Sequence, residues 1–246
     1  MMAQLGSGAQ GRIKKFYKQV SVEETPQGFA VHLDGRPAKT PGRSLLAAPE
    51  RRLAEAIASE WREQGEEVDL PAMALTRLAA SVIDLAANDR AQWADEVLNY
   101  LRSDLLCYRA DEPASLVERQ AAAWDPLLHW AEENLGVKLK VTAGIVATEQ
   151  PAEAVEAALR ALEAMDDWAL MGVVSATQIS GSAIIGLALA RRAFPAGDLF
   201  RASRVDEHFQ ADRWGMDAEA AAREARLERA FAAADKWLEA LGPSRR

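Results

Sequence analysis

One stretch of the chain, residues 168–190, contains 23 residues and not one charged side chain. A run of this length is long enough to cross a bilayer as a helix, so its surroundings constrain the whole fold. It lacks the aromatic belts that flank membrane-spanning helices at both ends. We therefore predict two shorter helices that meet near Ser180 and Gly181 and are buried in a helical bundle, with a membrane-attached factor as the alternative. Small polar residues in the middle of the run favour the buried pair: Ser175, Thr177, Gln178, Ser180 and Ser182.

The segment that follows, residues 203–215 (SRVDEHFQADRWG), is rich in acidic and aromatic side chains. Acids bracketed by aromatic residues suit docking onto an arginine-containing surface of a partner. A solvated helix face accounts for the same residues, so the pattern alone leaves both interpretations open. The candidate residues divide between two sides of the predicted helix, with Glu207, Gln210 and Trp214 on one side and Asp206 and Phe209 on another.

The charge balance of the chain is acidic, with a formal net charge of −8 at pH 7. A general nucleic-acid binder needs a basic excess to neutralise phosphates, so this balance argues against that class of protein. The single cysteine, Cys107, excludes an internal disulfide and fits a reducing compartment. We expect neither a secretory signal nor a transit peptide, because the opening residues show neither pattern.

The first part of the chain carries strand and turn signals. Residues 1–15 are predicted to form a flexible tail, although GSGAQG at residues 6–11 matches a dinucleotide-binding fingerprint, because no strand precedes the glycines. Residues 16–49 alternate apolar and polar side chains between turns, which is typical of a small β domain. Asp34 and Gly35 form a tight hairpin signal within it.

From residue 50 to residue 246 apolar residues recur at helical spacing. Asp89 is the predicted N-cap of one of these helices, and residues 198–214 and 217–241 are predicted to form a last pair. A short strand near residues 138–147 is a further possibility. The predicted fold class is therefore α+β, with a small N-terminal β domain followed by a larger all-helical C-terminal domain.

The residue patterns of common catalytic and metal sites are missing from the sequence. The histidines are His32, His129 and His208, and no two of them have the spacing of metal ligands. Cys107 lies between apolar neighbours, which favours a packed thiol over a nucleophile. We therefore expect no catalytic, cofactor-binding or metal-binding residues. The alternative is a small-molecule enzyme with a cleft between the β unit and the helical bundle, in which Asp34, Arg36 or Lys39 faces Glu207.

Eight motifs, taken in order, resemble a known family of assembly chaperones for the alpha subunit of F-type ATP synthase. In eukaryotes this is the ATP synthase mitochondrial assembly factor 2 family. The resemblance covers nearly the whole chain, from about Phe16 to about Ala220. The motifs are FYKQV (16–20), LDGRPAKTP (33–41), LAEAIASEW (53–61), MALTRLAASVID (73–84), YLRSDLLCYR (100–109), WDPLL (124–128), SGSAIIGLAL (180–189) and DEHFQADRWG (206–215).

The resemblance implies a non-enzymatic chaperone that works without ATP. Such a protein holds the newly made alpha subunit, shields its beta-facing surface and releases it as the catalytic head assembles. The resemblance implies a protein partner and no nucleic acid, cofactor, membrane span or small-molecule substrate. It also implies the small N-terminal β domain and larger helical domain predicted above.

The functionally critical acid of this family lies in its C-terminal acidic and aromatic motif. By match this role carries over to Asp206 and Glu207, with Glu207 as the first choice, and Gln210 and Trp214 belong to the same motif. Trp214 or Phe209 is expected to supply apolar contact with the client. The sequence departs from the family pattern at Ala74, where the family often has proline. This difference is expected to affect only a local turn. The absence of a eukaryotic transit peptide points to a bacterial member in the cytoplasm, whereas eukaryotic relatives work in the mitochondrial matrix.

Overall fold

The computed structural model describes residues 13–144 and 148–242 of the chain. Their packing divides them into two compact units, one ending at Ile83 and the other beginning at Asp84. The boundary expected after residue 49 separates strands from helices. Packing instead places the helix over Arg51–Arg62 in the same unit as the sheet. Residues 1–12, which include the glycine-rich segment and most of the expected tail, lie outside the described residues.

The described part of the first unit contains six short strands, the helix α1 over Arg51–Arg62 and the beginning of the next long helix. The central sheet has the order β2-β3-β4, β5 also pairs with β3, and all of these pairs are antiparallel. Strands β1 and β6 form a separate antiparallel pair, so Ile13 and Lys14 belong to a strand rather than to the expected tail. The strands are β1 (Ile13–Lys14), β2 (Val20–Thr25), β3 (Gly28–Leu33), β4 (Arg36–Pro37), β5 (Ala47–Ala48) and β6 (Glu67–Val68).

The predicted hairpin at Asp34 and Gly35 is confirmed. Leu33 pairs with Arg36, and the two residues between them have φ angles of 50° and 75°. Two positive φ angles in succession define the two-residue turn that fits the twist of β strands, and glycine adopts that conformation without strain. Helix α1 packs on strands β2 and β3 with one apolar face, which consists of Leu53, Ala54, Ile57, Ala58 and Trp61.

Helix α2 is continuous over Ala74–Arg102. The prediction that a new helix begins at Asp89 is therefore wrong. Residues 74–102 contain neither glycine nor proline, and alanines flank this position at Ala87 and Ala91. An aspartate inside a helix costs only a fraction of a kcal/mol, ~0.7 at most, so good helix formers on both sides carry the helix through it.

The second unit is a bundle of helices with one small parallel pair of strands, β7 (Tyr108–Arg109) and β8 (Thr142–Ala143). The strand expected near residues 138–147 is reduced to β8, and residues 145–147 lie outside the described residues. This architecture confirms the predicted fold class. The helices after α2 are α3 (Ala114–Leu135), α4 (Ala152–Glu163), α5 (Asp167–Ser180), α6 (Ala183–Ala190), α7 (Ala196–Ala202), α8 (Val205–Trp214) and α9 (Ala218–Leu241).

The uncharged run forms the buried pair of helices that the sequence predicts. Helix α5 ends at Ser180, and α6 begins after Ser182, whose hydroxyl caps it by accepting a hydrogen bond from the backbone N–H of Ile185 at 3.1 Å. Helix α5 packs against both α6 and α9. Among the described residues, no helix is both long and apolar enough to cross a membrane.

The single helix expected over residues 198–214 is in fact two, α7 and α8, so that prediction is wrong. The carbonyl of Ala202 accepts a hydrogen bond from the indole N–H of Trp124 at 2.7 Å. In a continuous helix that carbonyl would accept from the N–H of Asp206. Ser203 closes α7 instead, with its hydroxyl donating to the carbonyl of Phe200 at 2.7 Å. The chain therefore turns before α8 begins.

Candidate functional site

All five candidate residues lie on helix α8, and the structure places them on two different sides of it. Asp206 and Phe209 face helix α3. The amide of Gln120 on α3 donates a hydrogen bond to the Asp206 carboxylate at 2.7 Å. Phe209 is buried, and the guanidinium of Arg119 lies 5.3 Å from the centre of its ring. These two candidates therefore hold α8 against the bundle.

Glu207, Gln210 and Trp214 line an open groove between α8 and the start of α9, with a volume of about 450 Å³. Trp214 is 75% exposed, and Met216, just beyond the end of α8, is 43% exposed. The guanidinium carbon of Arg213 lies over the ring of Trp214, 5.6 Å from the ring centre. One face of the ring is therefore occupied by a neighbour on the same helix. We call this surface the α8–α9 groove. It brings together three of the five candidates.

A chain of charged groups forms one wall of the α8–α9 groove. Arg204, just before α8, places its Nη1 atom 2.8 Å from a carboxylate oxygen of Glu207. Its Nε donates to the carboxylate of Glu224 on α9 at 3.0 Å, and the other oxygen of Glu224 lies 2.9 Å from Nε2 of His208. The pairs made by Glu224 join α8 to α9. Glu207, whose side chain is 48% exposed, makes no ion pair with α9 among the described residues.

Arg204 and Glu224 are site residues that the sequence reasoning missed. The spacing of Arg204 and Glu207 is that of an i, i+3 helix pair, which a charge-pattern search detects. The pairing of Arg204 with Glu224 spans 20 residues and depends on how α9 packs on α8, so no local pattern reveals it.

The α8–α9 groove is acidic overall. Two arginines, Arg204 and Arg223, are outnumbered by four acids. A surface of this sign attracts cationic groups, and the exposed Trp214 adds a large apolar contact beside them. The four acids are Glu207, Asp217, Glu219 and Glu224.

A second open groove lies on the other side of α8, between α3 and α7, with a volume of about 570 Å³. Ala122, Leu127, Phe194 and Val205 make its lining mainly apolar. Its residues come from three helices and a loop, so no local pattern in the sequence indicates this groove.

Two residues considered for enzyme chemistry, Asp34 and Cys107, have structural roles. The Asp34 carboxylate accepts hydrogen bonds from the backbone N–H groups of Gln19 and Lys18 at 2.8 and 3.0 Å, which hold the pKa of Asp34 below its ordinary value. Burial raises the pKa of the Cys107 thiol to about 12, so the thiol stays protonated and is a poor nucleophile. In the part of the chain that the structure describes, no cluster of three or more His, Cys, Asp or Glu residues is able to hold a metal ion.

Comparisons with known proteins point to one family. A family model described as ATP12 chaperone protein matches residues 14–132. The crystal structure of Atp12 from Paracoccus denitrificans is 36% identical, with 93% of this chain and 98% of that chain aligned and a TM-score of 0.85. A proposed chaperone from Agrobacterium tumefaciens is 37% identical over 93% of this chain and 86% of its own, with a TM-score of 0.88. An aspartate-to-lysine mutant of the Paracoccus protein aligns equally well, at 36% identity and a TM-score of 0.85 over 93% and 97% of the two chains.

Proposed function

The chain belongs to the ATP12 chaperone family, and from this membership we propose that it is an assembly chaperone for the alpha subunit of F-type ATP synthase. In this proposal it binds the newly made alpha subunit, shields the surface that later contacts other subunits, and releases it as the catalytic head forms. It works without ATP and without catalysis, in the bacterial cytoplasm.

The observation that carries the proposal is the exposed Trp214 on the rim of an acidic groove. Trp214 is 75% exposed and Met216 is 43% exposed at the same groove, and contiguous exposed apolar side chains mark interaction sites. Tryptophan is among the commonest energetic centres of protein interfaces. Met216 extends the apolar contact along the same rim. The groove is open rather than enclosed, which suits a protein surface better than a small substrate.

Glu207 is the proposed charge contact with the client. Glu207 and Trp214 line the same groove about two helical turns apart, so a client segment that carries a positive charge and an apolar side chain would reach both. Charge contacts of this kind set the register and the association rate of a complex. Gln210 supplies further hydrogen bonds on the same side. Phe209 is buried against α3, so we assign the apolar contact with the client to Trp214.

The test is capture of purified alpha subunit by the tagged chaperone, with and without nucleotide. Wild-type protein should retain the alpha subunit equally in both conditions. Glu207→Lys should lower its affinity about tenfold or more, because the substitution replaces an attractive contact with a repulsive one. Glu153→Lys on α4 is the matched control, since it makes the same charge change at another exposed position and should bind like wild type.

Thermal unfolding of both variants distinguishes a binding effect from a folding effect. Glu207 makes one ion pair at the surface, so its replacement should leave the melting temperature nearly unchanged. If wild-type protein retains no alpha subunit, the proposed function is wrong. If Glu207→Lys retains it as well as wild type does, the function stands and the proposed contact is wrong.

A further inference from the structure

The Glu207 carboxylate is already paired when the α8–α9 groove is empty. Arg204 lies 2.8 Å from it, and in the described part of the chain Arg204 is the one cation within ion-pair distance of Glu207. A client cation that binds Glu207 must therefore compete with a guanidinium that belongs to the chaperone itself. The outcome of that competition depends on what else holds Arg204.

Arg204 is held more firmly than Glu207. Its side chain is only 13% exposed, and it makes a second ion pair with Glu224 at 3.0 Å. Glu224 is in turn fixed by His208 at 2.9 Å. Glu207, by contrast, is about half exposed and is free to turn towards solvent. When Glu207 leaves Arg204, the guanidinium keeps a carboxylate partner and no buried charge is left alone, so the exchange carries little penalty.

We propose that Arg204 is a built-in competitor for the client cation and that it sets how tightly the groove holds the client. This inference rests on the proposed function. One ion pair is broken for each one formed, and the incoming cation also meets the like charge of Arg204. Glu207 therefore adds orientation but only a modest net gain in affinity. Most of the affinity must come from apolar contact with Trp214 and Met216, so the groove selects a segment that carries both a cation and a large apolar group.

A chaperone needs this balance because it must give up its client. Without Arg204, the Glu207 carboxylate would bind the client segment more tightly. The client would also leave more slowly, because affinity differences between related complexes lie mostly in the dissociation rate. Arg204 shortens the lifetime of the complex without closing the groove. It is a residue that determines affinity, and the client need not touch it.

The test is a double-mutant cycle on binding of purified alpha subunit, using wild type, Arg204→Gln, Glu207→Gln and the double variant. Arg204→Gln should bind about two- to fivefold more tightly at low salt, which is the range expected for releasing one partly exposed ion pair. The gain should appear mainly as slower dissociation and should shrink at high salt. In the Glu207→Gln background, removal of Arg204 should change the affinity little, because the competition no longer exists.

The direction of the change separates this proposal from a purely structural role. Arg204→Gln also removes a pair with Glu224, and loosening α8 from α9 would weaken binding. Tighter binding cannot arise that way. Arg204→Lys is a second variant that keeps a charge near Glu224 but loses the guanidinium that spans both carboxylates, and it should give a smaller gain.

Each outcome decides the matter. Weaker or unchanged binding by both Arg204 variants, together with wild-type capture of the alpha subunit, overturns the competitor role and leaves the proposed function intact. An equal gain with and without Glu207 also overturns it. No capture of the alpha subunit by any of the four proteins overturns the proposed function and this inference with it.

Discussion

Helices α5 and α6 are buried on nearly every side, whereas α8 is mostly exposed, packs on α3 through Phe209 and is joined to α9 by ion pairs. Every residue of α6 from Ala183 to Leu189 is buried, and within α8, which lies wholly in the described part of the chain, Phe209 alone is buried. The ends of the helices differ in the same way. Asp166 and Ser182 cap α5 and α6 with side-chain hydrogen bonds, and among the described residues no side chain caps α8.

This difference shows where the second unit derives its stability and where it has freedom to bind. Substitutions in tightly packed helices create cavities or clashes, whereas exposed positions tolerate change within about 0.5 kcal/mol. The exposed side of α8 is therefore able to carry charged and aromatic contacts for a partner without loss of stability. Four paired measurements test this contrast.

The largest effect should come from removing a tryptophan of the buried region. Trp237 on α9 is fully buried, stacks on Trp168 with ring centres 5.3 Å apart, and donates its indole N–H to the carbonyl of Trp168 at 2.8 Å. Trp237→Ala should lower the free energy of unfolding by about 3–5 kcal/mol. Trp214→Ala should change it by about 0.5 kcal/mol or less. Urea denaturation followed by circular dichroism measures both, and equal losses would refute the contrast.

The second effect depends on pH and comes from a buried carboxylate. Burial raises the pKa of Asp104 to about 6, against an ordinary value of 3.8, although the Ser182 side chain and backbone N–H groups of Leu106 and Ile184 oppose the rise. A raised pKa means that the folded state holds the proton more tightly than the unfolded state does. The contribution of Asp104 to stability is therefore greatest below pH 4 and is lost as pH rises to about 6.

Asp104→Asn isolates this contribution because the amide does not titrate. Each pKa unit corresponds to about 1.4 kcal/mol, so the stability of wild type relative to the variant should fall by about 2 kcal/mol between pH 4 and pH 7. Urea midpoints across that pH range give the difference. If the urea midpoints of the two proteins change with pH in parallel, burial does not raise the pKa of Asp104. Glu207→Gln is the matched control, because it makes the same change from a carboxylate to an amide at a half-exposed position.

The third effect tests close packing between helices α5 and α6. A methyl group on Gly186 would lie 2.3 Å from Oγ1 of Thr177 and 2.9 Å from the carbonyl oxygen of Val173, so one partner must move. Gly186→Ala should cost about 1–3 kcal/mol despite the better helix propensity of alanine. At Gly197 on α7 the nearest atom is the end of a flexible arginine at 3.4 Å, and Gly197→Ala should be neutral or slightly stabilising. Thermal unfolding of both variants is the measurement, and a neutral Gly186→Ala would show that the two helices are free to separate.

The buried region was largely predictable from the sequence because its signals are local. An uncharged run with small polar residues and Gly181 in its middle specifies two short buried helices, and Asp34 with Gly35 specifies a hairpin. The break between α7 and α8 was not predictable, because it depends on Trp124, about 80 residues away, bonding to the carbonyl of Ala202. The helix start predicted at Asp89 was wrong for a local reason. A good capping residue does not start a new helix where strong helix formers lie on both sides of it.

The candidate site was predictable only in part for the same reason. Helical spacing correctly separates Glu207, Gln210 and Trp214 from Asp206 and Phe209. Which side faces the bundle depends on Gln120 and Arg119 of α3, and the pairing of Arg204 depends on α9. Neither is a property of residues 203–215 alone. Whether the groove binds a client stays a prediction for the capture experiment.

The smallest effect concerns how α8 is attached to α3. Arg119 and Asp212 form an ion pair at 2.6 Å, with side chains 50% and 60% exposed, while Phe209 packs beneath Arg119. Exposed ion pairs contribute about 0–1 kcal/mol, so Asp212→Asn should lower the free energy of unfolding by less than about 1 kcal/mol, and salt should reduce even that. Phe209→Ala is the comparison and should cost several times more, because it removes the buried anchor of the helix. Urea denaturation at low and high salt measures both. A larger loss from Asp212→Asn than from Phe209→Ala would mean that charge rather than apolar burial holds α8 in place, and substitutions on its exposed side would then no longer be free of cost to the fold.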